Sequence, residues 1–185
     1  MTTDKQTRVA VLLGSTRAGS LNRRIAEHLR DNAPDGVTVD VLEGLDTVPF
    51  YNEELDAETV PAGASALRQS VASADVVLAV TPEYNGTMPA VLNNAIDWLS
   101  RPYGQGAISG KPFAAIGATP TPYGGKWSHE HARHSARIAG AVVVEDIVVD
   151  EPAVAGDPLN DEAAVQRFLG ALDQLVAHEV ETAVA

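Results

Sequence analysis

The sequence predicts a single α/β domain, a doubly wound, five-stranded parallel sheet of order 2-1-3-4-5 with helices on both faces. Three observations predict it. Five short apolar runs alternate with stretches of helical periodicity, the pattern of parallel strands joined by crossover helices. Several of these runs are apolar at every position, as strands covered on both faces require. Two polar, glycine-bearing loops, Gly14–Asn22 and Pro82–Gly86, each follow such a run and lead into a helix. The 185 residues suffice for one full hydrophobic core, so residues 1–185 read as one domain, with 1–7 as a flexible N-terminus.

Arg8 to Leu13 is the first buried strand. A helix follows from about Ser20, with Leu21, Ile25, Ala26 and Leu29 on one stripe, and Pro34-Asp35-Gly36 ends it. Val37 to Leu42 alternates and reads as the second strand, and Gly44 to Pro61 as a long loop. Ala62 to Ala74 is helical, with Ala66, Leu67, Val71 and Ala74 inward, and leads to a third strand, Val76 to Val80. Pro89 to Leu99 reads as a helix with proline at its first position and Thr87 as a cap. Phe113 to Ala118 is the fourth strand and His129 to Ala139 the next helix. Val142 to Val149 is the fifth strand, with Glu145-Asp146 as a point of interruption. A final helix runs from Asp161 to about Val180, with Val165, Phe168, Leu169, Leu172, Leu175 and Val176 at helical spacing.

Composition narrows the function. The chain has no cysteine, which excludes disulfides, thiolate metal sites, iron–sulfur clusters and a cysteine nucleophile. Its net charge of −12 repels a nucleic-acid backbone. No apolar run approaches the roughly 18 residues of a membrane span, and the polar N-terminus lacks a signal-peptide core, so a cytoplasmic protein is expected. Against the acidic background, Arg17, Arg23, Arg24 and Arg30 make the first loop and its helix locally basic. Such a segment is either a solvated helix face or an attractor for a small anion.

In a sheet of this order, ligands sit beyond the carboxyl ends of strands 1 and 3, where the strand order reverses. The two informative loops follow those two strands. The first offers backbone N–H groups at a helix N-terminus, hydroxyls at Ser15, Thr16 and Ser20, a guanidinium at Arg17 and an amide at Asn22. These are donors suited to a phosphate. A nucleoside-triphosphate loop needs Lys-Ser/Thr after its second glycine, but Gly19 is followed by Ser20-Leu21. A dinucleotide loop needs three glycines, and only Gly14 and Gly19 are present. A monophosphate remains, and flavin mononucleotide (FMN) suits this architecture. In the second loop, Pro82 and Gly86 permit a tight turn that exposes backbone donors and acceptors to the edge of a flavin ring. Tyr84 can pack on that ring, and Glu83 and Asn85 can fix the loop or meet the ribityl hydroxyls. A third loop, Thr119 to Lys126, reaches the same place from the far side, where Thr119 can donate to the ring's polar edge.

The stretches LLGSTRAGSLNRRIAEHL, TPEYNGTMPAVLNNAIDWLSR and GKPFAAIGATPTPYGGKWSHEHAR resemble the three signature stretches of the NADPH-dependent FMN reductase family, flavodoxin-like flavoproteins that include quinone and chromate reductases and azoreductase-type enzymes. The resemblance covers roughly residues 9–137. It implies FMN phosphate contacts at Ser15, Arg17, Ser20, Leu21 and Asn22, ring contacts at Pro82, Glu83, Tyr84, Asn85 and Gly86, and a further contact at Thr119. It also implies a homodimer or homotetramer. The family often shows glycine and lysine where Ala90 and Asn93 stand, and arginine where Lys126 stands.

The expected activity is NAD(P)H oxidation by an FMN enzyme. Hydride passes to bound FMN and then, in a two-step ping-pong scheme, to a quinone, free flavin, azo compound or metal oxyanion. The alternatives are an FMN electron carrier and a reductase supplying free reduced FMN to a monooxygenase. No side chain is required as a catalytic acid or base for hydride transfer, and none is named. His129, Glu130, His131 and His134 read as a solvated helix face, not a metal site. Trp98 reads as packing or interface.

Overall fold

The computed structural model describes residues 6–184. Strand β1 (Thr7–Leu13) is followed by α1 (Leu21–Asp31), β2 (Val37–Leu42), α2 (Glu53–Glu58) and α3 (Ala62–Ala72). Then come β3 (Val76–Val80), α4 (Ala90–Leu99), β4 (Pro112–Thr119), α5 (Lys126–Ile138), β5 (Val142–Val143), β6 (Val149–Pro152) and α6 (Glu162–Val184). All pairings are parallel, in the order β2-β1-β3-β4-β5, with β6 also on β4. The predicted order is therefore correct. Most of the expected N-terminal tail lies outside the described residues, and its last residue, Thr7, already pairs with Val37.

The strict apolar character of β1, β3 and β4 follows from their place in the middle of the sheet. Val9, Val11, Leu78, Val80 and Ile116 face α1 and α6, where Ile25, Leu29, Phe168 and Leu172 pack on them. Ala10, Leu12, Val77, Ala79 and Phe113 face the other layer, with Leu67, Val71, Leu92, Trp98 and Ala132. Each layer removes a full set of apolar side chains from water, the dominant favourable contribution to folding.

The fifth strand is two pieces. β5 pairs with Pro112 and Phe113, β6 with Ile116 to Thr119, and the exposed Glu145-Asp146 pair lies in the gap between them. The Ala115 carbonyl lies at the edge of that gap, where β6 begins to pair. Buried Arg133 of α5 turns Nη1 toward it, at a long 3.5 Å.

The stretch read as a long loop, Gly44 to Pro61, contains a 3₁₀ turn at Leu45–Thr47 and the short helix α2. Asn52 caps α2 by accepting from the Glu54 N–H at 2.8 Å, and Glu53, Glu54 and Asp56 favour its positive end. Six residues without an apolar stripe give no periodic signal. The segment is held down from α4. Asn94 accepts from Tyr51 N–H and donates to the Val48 and Pro49 carbonyls, and Trp98 Nε1 donates to Pro49 at 2.8 Å. Trp98 is thus a fully buried packing residue. Thr87 does not cap α4; Pro89 occupies the N-cap position and Thr87 pairs with Tyr84.

Arg68 joins α2 to α3 and α4. Its fork meets Asp56 at 2.6 and 2.8 Å, its Nε donates to the Trp98 carbonyl at 3.0 Å, and its guanidinium lies 5.2 Å from the Trp98 ring centre. The hydrogen bonds from Arg68 hold the Asp56 carboxyl below its ordinary range, outweighing the opposite effect of burial. A carboxylate lowered in the folded state stabilises above its unfolded pKa, about 4, and loses that contribution as pH falls through the lower folded value. We predict that Asp56→Asn costs about 1 kcal/mol at neutral pH. Denaturant titrations should show the gap between wild type and variant closing on acidification below about pH 4; a gap that stays constant would contradict the assignment.

Candidate functional site

The carboxyl ends of β1, β3 and β4 converge. The Gly14 N–H donates to the Val80 carbonyl at 2.9 Å. A Cβ on Gly14 would lie 2.2 Å from Thr81 Oγ1 and 3.1 Å from Thr81 Cα, so only glycine lets the first and second loops lie this close. On the other side, Asn22 ties the start of α1 to β4. Its Nδ2 donates to the Ala118 carbonyl and its Oδ1 accepts from the Ala118 N–H, both at 2.9 Å. A Cβ on Gly117 would lie 2.2 Å from the Thr81 carbonyl oxygen and 2.7 Å from Asn22 Oδ1. Three loops therefore start from one tightly packed junction.

The first loop presents donors that the protein itself does not use. Ser15 is 2% exposed, and its Oγ has no hydrogen-bond partner. A buried, unpartnered hydroxyl costs free energy unless a ligand meets it. Ser20 is the N-cap of α1, accepting from the N–H groups of Asn22 at 3.2 Å and Arg23 at 3.5 Å. Its hydroxyl hydrogen stays free to donate. Leu21 opens the helix half-buried. The arginines divide sharply. Arg23 pairs with Glu43, Arg24 with Asp157 and Arg30 with Asp31. Arg17 is exposed in the loop, and no described carboxylate pairs with it. The solvated-face reading thus holds for Arg24 and Arg30; Arg23 is half-buried, with its Nε buried and unpartnered, and Arg17 is the exposed one that faces no described carboxylate.

The second loop is a two-residue hairpin. Tyr84 and Thr87 exchange backbone hydrogen bonds of 2.9 and 3.1 Å around Asn85 (φ 53°) and Gly86 (φ 71°). Positive φ at both central positions is a type I′ turn, for which Asn-Gly is the favoured pair. Tyr84, Asn85 and Gly86 are exposed, and Pro82 and Glu83 are half-buried. Glu83 takes the first of its two expected roles and fixes the loop. Its Oε2 accepts from the N–H groups of Trp127 at 3.0 Å and Ser128 at 3.2 Å. Ser128 Oγ returns a bond to the Pro82 carbonyl at 2.8 Å. This borrowed cap lets α5 begin at Lys126, three residues before the expected start. Thr119 is buried beside this region, its Oγ1 sharing a hydrogen with Thr121 Oγ1 at 2.9 Å.

The expectation of a solvated histidine face fails at His129. That ring is fully buried, 2.5 Å from Asp150 Oδ1 through Nδ1 and 3.2 Å from the Thr81 carbonyl through Nε2. His131 and His134 are exposed as expected, His131 meeting Thr87 Oγ1 at 2.8 Å. Ser128, His129, Ala132, Arg133 and Ala136 form one buried stripe. The alanines at 132 and 136 were the sequence signal, masked by the polar residues around them.

The junction yields a test. Gly14→Ala should destabilise the protein by about 1–3 kcal/mol, the cost of forcing a methyl against Thr81. Denaturant unfolding measures it; an unchanged midpoint would show that the two loops can separate freely.

The sequence matches the NADPH-dependent FMN reductase family over residues 7–154. It is 42% identical to a quinone reductase of Pseudomonas putida over 127 residues, 69% of this chain and 68% of that one. It is 35% identical to a quinone reductase of Escherichia coli K12 over 175 residues, 90% of this chain and 88% of that one. Among solved structures it is similar to FerB of Paracoccus denitrificans, a flavoenzyme NAD(P)H:acceptor oxidoreductase, with a TM-score of 0.83 and 30% identity over 95% of this chain and 98% of that one. Among the described residues, no helix is long and apolar enough to cross a membrane. With the sheet order, the converging loops and these similarities together, the chain belongs to the NADPH-dependent FMN reductase family and is an NAD(P)H-dependent FMN/quinone oxidoreductase with FMN as its bound cofactor.

Proposed function

We propose that the chain reduces quinone-type acceptors with electrons from NAD(P)H by a ping-pong scheme, on FMN seated with its phosphate in the Gly14–Asn22 loop. The observation that carries the phosphate assignment is the buried, unpartnered Ser15 hydroxyl. The free Ser20 hydrogen, the exposed Arg17 guanidinium and the N-terminus of α1 surround an anion with donors of one sign. Asn22 contributes mainly by tying this loop to Ala118, and Leu21 by its backbone at the helix start. The ring is assigned to Pro82–Gly86 and Thr119. There the I′ turn leaves the peptide groups of Asn85 and Gly86 exposed for hydrogen bonding, and Glu83 keeps the turn in place.

When bound, FMN supplies hydride acceptance and delivery, chemistry that belongs to the cofactor. The protein's own residues hold, orient and enclose. Tyr84, Tyr123 and Trp127 leave exposed aromatic surface on the second and third loops, and Tyr123 and Trp127 lie 4.8 Å apart between ring centres. Flat aromatic acceptors suit such a rim, and the quinone reductases among the relatives support that class. The nucleotide and the acceptor are taken to occupy the same face in turn, which makes the scheme ping-pong. The functional unit is taken as a homodimer or homotetramer of the 1–185 domain, acting in the cytoplasm, with exposed Phe50, Tyr103 and Ile138 available to a second copy.

Two measurements test the proposal. Anaerobic initial rates with NADH or NADPH and 1,4-benzoquinone should give parallel double-reciprocal lines; converging lines would require both substrates bound together and would refute the scheme. Arg17→Ala should weaken FMN binding about ten- to a hundredfold, the loss of one charged hydrogen-bond donor. Equilibrium titration of the apoprotein reads it, and unaltered affinity would move the phosphate elsewhere.

A further inference from the structure

Arg23 carries a buried donor that the protein itself does not use. Its Nε has no hydrogen-bond partner, while Nη1 of the same guanidinium is spent on Glu43. The Arg23 side chain is 20% exposed and that of Glu43 65%, so the cation lies inside and its carboxylate outside. A buried N–H of a charged group without an acceptor costs free energy that an ion pair open to water does not return.

The sheet and the helix together fix where this guanidinium sits. Leu42, the last residue of β2, pairs with Leu12, so Glu43 leaves the sheet beside the end of β1, where the Gly14–Asn22 loop begins. Arg23 is the third residue of α1, and helical side chains lean toward the helix N-terminus. Bonded to Glu43, its guanidinium lies beside the start of that loop. The same loop holds the other unpartnered donor, the Ser15 hydroxyl, 2% exposed.

The charges of this helix end point the same way. The first turn of α1 has no acidic residue, yet Arg23 and Arg24 both stand there, at the positive end of the helix dipole. Cations are unfavourable at that end. Asp157 compensates Arg24. Arg23 has only a water-exposed carboxylate, on one of its nitrogens. An anion in front of the helix turns both costs into gains, since the dipole attracts it and it accepts from Nε. A phosphate monoester carries about two negative charges near neutral pH, and Arg17 alone supplies one positive charge.

We propose that Arg23 is a second arginine of the phosphate site. Its Nε–H donates to the FMN phosphate from the β2 side, Glu43 holds Nη1 and so orients the fork, and Arg17 closes the site from solvent. This rests on the assignment of the phosphate to the Gly14–Asn22 loop.

FMN titration of the cofactor-free protein, with unfolding midpoints measured without FMN, tests it. Arg23→Met keeps the apolar stem and removes the guanidinium. It should weaken FMN binding about tenfold or more, the loss of one charged donor. Arg23→Lys should weaken it as much, because a point charge held by Glu43 lacks the second fixed N–H. Wild-type affinity in the lysine variant would reduce the role to charge and overturn the Nε contact. The midpoint of Arg23→Met should stay unchanged or rise, since the variant removes an unsatisfied donor and a cation at the wrong helix end. A lowered midpoint would make Arg23 a support of the fold and overturn the proposal. Arg17→Ala separates this proposal from the reading beneath it. If Arg17→Ala weakens FMN and Arg23→Met does not, the phosphate stays in the loop and Arg23 has no part in holding it. If neither variant weakens FMN, the phosphate lies elsewhere and both assignments fall.

Discussion

The structure depends on how closely three strand ends approach one another. Gly14 lies against Thr81, and Gly117 lies against the Thr81 carbonyl and Asn22, each without space for a Cβ. Asn22 spans the remaining distance with two hydrogen bonds to one residue of β4. Parallel strands alone would not bring their following loops to a single place; these contacts do. The loops can then be short and polar because their origins are fixed by packing. Buried polar groups at the junction are almost all satisfied, and Ser15 Oγ is an exception. Such an exception in a tightly satisfied region marks where something else is meant to bind.

Rigidity is supplied from outside the loops as well. Glu83 caps a helix that begins forty-odd residues later in the chain, so the second loop and α5 hold each other. His129, one turn into that helix, reaches back to the carbonyl that precedes the loop. The second loop is fixed at both its first residues, while the I′ turn at its tip remains exposed. A cofactor enzyme needs this division, with a scaffold that does not move and peptide groups that are free to bond.

Much of this was legible in the sequence. The apolar runs of β1, β3 and β4 could only be central strands, and the strand order then placed Gly14–Asn22 and Pro82–Gly86 side by side. A tight turn was expected from Pro82 and Gly86; the structure places it at Asn85-Gly86, a pair with a known preference for that turn. What stayed hidden was long-range. No local pattern says that Glu83 caps α5, or that buried Arg133 turns toward the Ala115 carbonyl. His129 looked like part of a polar, histidine-rich face because its partner, Asp150, lies 21 positions away. For Asn22 the sequence suggested a place beside the phosphate but not the tie of its side chain to Ala118 on β4, 96 residues distant. Helix α2 was missed for a different reason. It has no buried stripe, and its stability comes from the Asn52 cap and the Asp56–Arg68 fork.

The central claim is that the first loop holds the cofactor's phosphate through a hydroxyl the protein leaves unpaired. A crystal structure of the FMN complex tests it most directly. The account predicts a phosphate oxygen within hydrogen-bonding distance of Ser15 Oγ, with the Ser20 hydroxyl and the Arg17 guanidinium on the same group. A phosphate bound elsewhere, with Ser15 still buried and unpartnered, would contradict it.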